Sequence, residues 1–122
     1  GTPWLKVNKN YKEINAACQV NDPNSVFSYY KKLIHLRHTN DVMVEGKFDV
    51  LIPEHPKIFA YTRTFNEKQL LILCNYSDKE TVIPEEIQEK ISKAYCILIQ
   101  NYEKAEKTIL RPYEAIVYEI NY

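Results

Sequence analysis

The feature that most constrains this chain is a change of hydrophobic period partway along it. From Val42 onward apolar residues recur at every second position, in runs too short for helices and separated by turn residues. Phe48, Val50 and Ile52 alternate with Asp49 and Leu51 after a turn at Gly46. Ile58 to Phe65 places Phe59, Tyr61 and Phe65 on one face, and Asn66-Glu67-Lys68 makes a hairpin turn. Leu70 to Tyr76 is apolar on both faces, as expected of a central strand. Thr81 to Ile83 stops at Pro84, Ala94 to Ile99 is another apolar run, and Thr108 to Leu110 with Ala115 to Ile120 gives a last hairpin. About seven short strands at close spacing predict a mainly β fold, an antiparallel β-sandwich of Greek-key type. Between them, Pro84 to Ile91 reads as one or two exposed helical turns and Glu103 to Lys107 as a solvated loop.

Ahead of the strands the pattern is different. Residues 22 to 39 carry a helical stripe of Val26, Tyr30, Leu33 and Arg37, widened by Phe27, Ile34 and Leu36. Asp22 is placed to cap this helix, and Pro23 suits its first position. So wide a stripe implies burial on two sides. Residues 1 to 21 show no period, although Trp4, Leu5, Val7, Tyr11 and Ile14 are far from the composition of a disordered tail. These side chains are expected to pack against a surface the chain does not itself supply. A start at Gly1 without methionine suggests a piece of something longer. The natural boundary falls near Thr39-Asn40-Asp41, dividing an irregular segment with its helix (1–40) from a β domain (41–122).

Composition narrows the possible functions. Lys plus Arg and Asp plus Glu number 16 each, so the chain lacks the basic excess of a nucleic-acid binder. Two glycines leave no room for a glycine-rich phosphate loop. No apolar run approaches the roughly 20 residues of a membrane helix. Cys18, Cys74 and Cys96 form an odd set without CxxC spacing, and Cys74 and Cys96, inside apolar runs, read as buried thiols in a reducing, cytoplasmic setting. Asn75-Tyr76-Ser77 matches the glycosylation pattern, but it falls in a predicted strand and reads as chance.

The search for chemistry yields no catalytic, cofactor-binding or metal-binding residue. His35 and His38 share a helix face but lack a third ligand. His55 sits in a loop and reads as solvent-facing. Glu85 and Glu86 are adjacent and therefore diverge, whereas glycoside hydrolysis needs two carboxyls facing across a sugar. The ten tyrosines leave one alternative open, a carbohydrate-binding module stacking sugars on Tyr76, Tyr95, Tyr102, Tyr113 or Tyr118. Cross-strand packing accounts for the same residues.

Several segments resemble a known family in the expected order. Thr2-Pro3-Trp4-Leu5-Lys6-Val7-Asn8 and Asn10-Tyr11-Lys12-Glu13-Ile14-Asn15 look like the stretch after the eighth barrel strand of glycoside hydrolase family 13. The similarity is to the oligo-1,6-glucosidase, dextran glucosidase and trehalose-6-phosphate hydrolase group. Asp22-Pro23-Asn24-Ser25-Val26-Phe27, with Tyr30 to Ile34, resembles the last barrel helix of that group. Ile58-Phe59-Ala60-Tyr61 and Leu110-Arg111-Pro112-Tyr113-Glu114-Ala115 resemble its C-terminal β domain. Lys9 stands where these enzymes carry proline, and residues 84 to 107 follow the pattern loosely. The resemblance implies a (β/α)8 barrel upstream that holds the catalytic Asp, Glu and second Asp, so none of those roles transfers to a residue here. It also implies that 1–40 is the end of that barrel, with the upstream barrel of the same chain as partner. The parent would be a retaining exo-α-glucosidase acting on terminal α-1,6-linked glucose.

Overall fold

The computed structural model describes residues 1–2 and 4–121; Pro3 of the Thr2-Pro3-Trp4 segment lies outside the described residues. The chain gathers into two compact units, Gly1–His35 and Leu36–Tyr122.

In the first unit, turn and cap hydrogen bonds at asparagine residues order the chain. Turns close through Tyr11 N–H to Asn8 O (3.2 Å) and Ile14 N–H to Asn10 O (2.9 Å). Asn15 Oδ1 then accepts from Cys18 N–H at 3.0 Å, capping the short helix α1 (Ala16–Gln19). Helix α2 (Val26–Thr39) begins three residues later than the capping signals at Asp22 and Pro23 suggest. Asp22 Oδ1 is taken by Asn24 N–H (2.9 Å) in a turn, and the cap passes to the buried Ser25, whose Oγ accepts from Ser28 N–H at 3.2 Å. No residue of α2 is buried, and Trp4 is 92% exposed and Ile14 61%.

The second unit opens with a helix that the period change conceals. Asn40 Oδ1 accepts from Val42 N–H (3.1 Å) and starts α3 (Asp41–Glu45), which ends at Gly46. Val42 and Val44 favour a strand by type, but the cap and the burial of Val42 decide for helix. Gly46 is required by close approach: a Cβ there would collide with the Val42 carbonyl and press on Arg63 Cβ at 3.2 Å.

The strands follow as β1 (Lys47–Leu51), β2 (Ile58–Phe65), β3 (Lys68–Asn75) and β4 (Thr81–Val82), then helix α4 (Glu85–Ser92), then β5 (Ala94–Gln100), β6 (Ile109–Leu110) and β7 (Ala115–Asn121). These seven antiparallel strands match the predicted class. Five form one sheet in the order β1-β2-β3-β7-β5, so β7 inserts between β3 and β5 in Greek-key manner, while β4 and β6 pair separately. A two-residue loop joins β2 to β3, with Asn66 in the left-handed region at φ 54°.

The second layer of the sandwich is the β4–β6 ribbon completed by α4. Ile83, Ile87, Ile91 and Leu110 meet Ile58, Ala60, Leu71, Leu73, Ile116, Tyr118 and Ile120 of the large sheet. The segment Pro84 to Ile91 is thus not wholly exposed: its charges mask Ile87 and Ile91, four apart, which face the core. In β1 the alternation runs opposite to its apolar count. Leu51 packs against the core, while Phe48 and Val50 lie on the other face, 47% and 44% exposed.

Candidate functional site

The most heavily bonded polar residue of the β unit is Asn75, 3% exposed at the end of β3. Its Nδ2 donates to Lys79 O (2.8 Å), Arg111 O (2.9 Å) and Leu110 O (3.3 Å), and its Oδ1 accepts from Ser77 N–H (3.0 Å) and Ser77 Oγ (2.9 Å). One side chain therefore ties the β3–β4 loop to the segment that enters β7. The same bonding excludes glycan attachment to this asparagine in the folded chain, since its amide nitrogen is enclosed.

Next to it, the Leu110–Ala115 segment is a structural clamp. Glu114, 1% exposed, accepts from Arg111 N–H (2.8 Å), Nε (3.0 Å) and Nη2 (2.7 Å). Arg111 also donates to Lys104 O and lies 4.1 Å over the Tyr102 ring, whose hydroxyl donates to Pro112 O at 2.8 Å. The hydrogen bonds of Glu114 hold the guanidinium above even its usual basicity. Tyr113 turns the chain with φ 54° and points outward. A carboxylate committed to three bonds in this way is a poor candidate for acid–base work.

The other candidate residues are scattered. His35 and His38 lie exposed on α2. His55 is not solvent-facing: it is half-buried, and its Nδ1 accepts from Ile58 N–H (2.9 Å) and Lys57 N–H (3.2 Å), closing the β1–β2 loop. Glu85 and Glu86 sit exposed in the first turn of α4, where negative charge favours a helix start. Among the described residues no three His, Cys, Asp or Glu side chains come together as a metal site. All three cysteines are free; Cys74 is half-buried and burial pushes its thiol up, away from reactivity, whereas Cys96, expected to be buried, is exposed, as is Cys18. No helix among the described residues is long and apolar enough to cross a membrane.

The five candidate tyrosines divide by environment. Tyr118 is core and Tyr102 is tied down, while Tyr76, Tyr95 and Tyr113 are 70%, 55% and 62% exposed. Among the described residues no ring contact joins these three to one another; Tyr76 instead meets Phe59 at 6.5 Å. Phe59 continues to Tyr61 (5.1 Å) and Tyr61 to Phe48 (5.0 Å), forming an aromatic ladder on the sheet face opposite the core. The alternation in β2 placed Phe59 and Tyr61 together, but the β1 partner depends on register, which spacing alone does not reveal.

Tyr118 has one anomaly: its hydroxyl is buried without a hydrogen-bond partner. Burial, reinforced by the nearby Glu114 carboxylate, pushes its phenol up to about 12. A group raised in the fold contributes stability that is intact below its unfolded value and disappears as pH climbs through the folded one. Stability therefore falls between about pH 10 and 12. Tyr61, also raised and first by burial, adds to that fall. Tyr118→Phe keeps the ring and removes the orphaned hydroxyl, so its urea midpoint at pH 7 should equal or exceed that of the parent sequence. Its loss of stability from pH 9 to pH 11 should be the shallower of the two.

Comparison with known proteins agrees with this architecture. A family model described as the catalytic domain of α-amylase matches residues 1–46. The oligo-1,6-glucosidase of Parageobacillus thermoglucosidasius is 46% identical over 127 residues, a span covering 98% of this chain but 22% of that enzyme. The crystal structure of Bacillus licheniformis trehalose-6-phosphate hydrolase superposes with a TM-score of 0.86 at 36% identity, covering 100% of this chain and 23% of that one. Isomaltulose synthase from Erwinia rhapontici NX5 gives a TM-score of 0.85 at 34% identity, covering 100% and 22%. The chain belongs to glycoside hydrolase family 13, the α-amylase family, and corresponds to the C-terminal part of its longer members. It spans about a fifth of the length of the relatives it matches, which are glycoside hydrolases of the oligo-1,6-glucosidase and trehalose-6-phosphate hydrolase kinds.

Proposed function

We propose that this chain is the non-catalytic, structural end of a retaining exo-α-glucosidase that releases terminal α-1,6-linked glucose from short oligosaccharides. The observation that carries the proposal is the 46% identity to an oligo-1,6-glucosidase over nearly the whole chain, combined with a fold whose buried polar groups serve its own turns. Residues 1–40 would complete the catalytic barrel and residues 41–122 would form the C-terminal β domain. The family match ending at residue 46 and the first unit's exposed apolar side chains support that division. Retaining chemistry needs two carboxyls about 5 Å apart across the scissile bond, and these would come from the barrel. The three free cysteines fit a cytoplasmic location.

A sugar-binding module is the weaker alternative, because the exposed tyrosines build no shared platform. The test uses the chain joined to its natural upstream sequence. That protein should hydrolyse isomaltose and release glucose first as the α anomer, read by proton NMR. Turnover of maltose or trehalose 6-phosphate but not isomaltose would overturn the linkage assignment. Chemical shifts that move on the 122-residue chain at millimolar isomaltose, clustered at exposed tyrosines, would favour the module instead.

A further inference from the structure

We propose that Arg63 latches helix α3 to the sheet, so that residues 41–46 fold and unfold with the β strands rather than with the sequence before them. This rests on the structural role proposed above and names the side chain that holds the junction. Helix α3 has five residues, Asp41–Glu45, and so short a helix does not persist on its own. Asn40 supports its start and Arg63 its end. Arg63 lies on β2, opposite Phe48 of β1 and Leu70 of β3. From there it donates from Nε to Val42 O (3.2 Å) and from Nη2 to Gly46 O (2.8 Å) and Val44 O (3.3 Å). The carbonyls of Val44 and Gly46 lie where a helix end leaves such groups without intrahelical partners. A guanidinium suits them, with a planar fork of donors and a positive charge at the negative end of the helix. Among the described residues no carboxylate pairs with Arg63, so its charge is directed at this backbone. Val42 and Leu70, which belong to the elements it joins, are 3% and 0% exposed.

The junction has no slack. Asn40 alone separates α3 from α2, and β1 begins at Lys47, directly after Gly46. Arg37, in the last turn of α2, adds a longer contact from Nη1 to Met43 O (3.4 Å). As a helix the five residues of α3 span about 7 Å, and fully extended they would span about 17 Å. Opening the latch therefore turns a taut connection into a tether roughly 10 Å longer. The match to the α-amylase catalytic domain runs to residue 46. Sequence thus groups residues 41–46 with that domain, while Arg63 fastens them to the sheet.

Amide hydrogen exchange, compared between the parent sequence and Arg63→Met, tests this. It is read in the 122-residue chain and again in the chain joined to its upstream sequence. The N–H of Met43, bonded to Asn40 O (3.0 Å), and that of Gly46, bonded to Val42 O (3.1 Å), should exchange at least about tenfold faster in the variant of both proteins. The amides of Ile116 to Ile120 in β7 should not change. Arg63→Lys keeps the charge but brings one ammonium to three carbonyls, so its exchange should fall between the two. Exchange at Met43 and Gly46 that stays within about twofold of the parent sequence overturns the proposal. Equal acceleration in β7 would make Arg63 a support of the whole sheet, and full protection in Arg63→Lys would reduce the latch to a single charge; either overturns it. Protection restored to Arg63→Met by the upstream sequence would give α3 to the preceding domain and overturn it too. Isomaltose turnover is scored separately, so a wrong activity assignment leaves these exchange rates untouched.

Discussion

Asn75→Ala will destabilise the β unit by about 3 kcal/mol, more than any other polar substitution in it. The truncation leaves Ser77 N–H without its acceptor and takes one donor from each of the Lys79, Leu110 and Arg111 carbonyls, of which Lys79 O keeps Ser77 Oγ and Arg111 O keeps Glu114 N–H, in a site where Asn75 is only 3% exposed. Each buried orphan costs roughly 1 to 3 kcal/mol, and water entering the vacated space recovers part of the sum. Asn75→Asp sharpens the prediction. It preserves shape and keeps the acceptor for Ser77, but replaces the amide donor with a carboxylate facing three carbonyl oxygens. Urea denaturation at pH 7 should therefore rank Asp at least as damaging as Ala. An Asp variant close to the parent sequence would mean that the hydrogen-bond hub does not hold these segments.

Leu73→Ala has the larger expected effect, about 4 kcal/mol. Leu73 is 0% exposed in the middle of β3, opposite Ala60 on one side and Ile116 on the other. The cost of such a truncation depends on how far neighbours can collapse into the gap. Ala60 has no side chain to contribute, and Ile116 is fixed in a central strand, so the loss lies in the upper part of the usual range of about 2 to 5 kcal/mol. For a domain of this size each kcal/mol lowers the melting temperature by about 4 to 8 °C, so the variant should melt roughly 15 °C or more below the parent sequence. Leu51→Ala, at a half-buried position at the core's edge, provides the control and should cost about half as much.

How much of this was legible in the sequence varies by element. The seven strands follow from alternation, and β3 could be placed centrally because Leu70 to Cys74 is apolar on both faces. The family was legible from segments such as Leu110–Ala115, although their physical role as a clamp through Glu114 and Arg111 was not. Local caps were harder. Asp22 and Ser25 are both good capping residues, and only the turn at Asn24 decides between them. Helix α3 was hidden because Val42 and Val44 carry a strand's composition while Asn40 carries the helix's signal. Whatever depends on long-range pairing stayed out of reach. Asn75 meets Arg111 across 36 residues, His55 is fixed by a loop closure, and the aromatic ladder exists through the β1–β2 register.

The central claim is that this polypeptide contributes scaffold and no chemistry. Its most direct test is the rate of p-nitrophenyl α-D-glucoside hydrolysis by the purified 122-residue chain. The account predicts a rate indistinguishable from buffer at any protein concentration. Turnover that scales with the amount of chain and persists through repeated purification would contradict it.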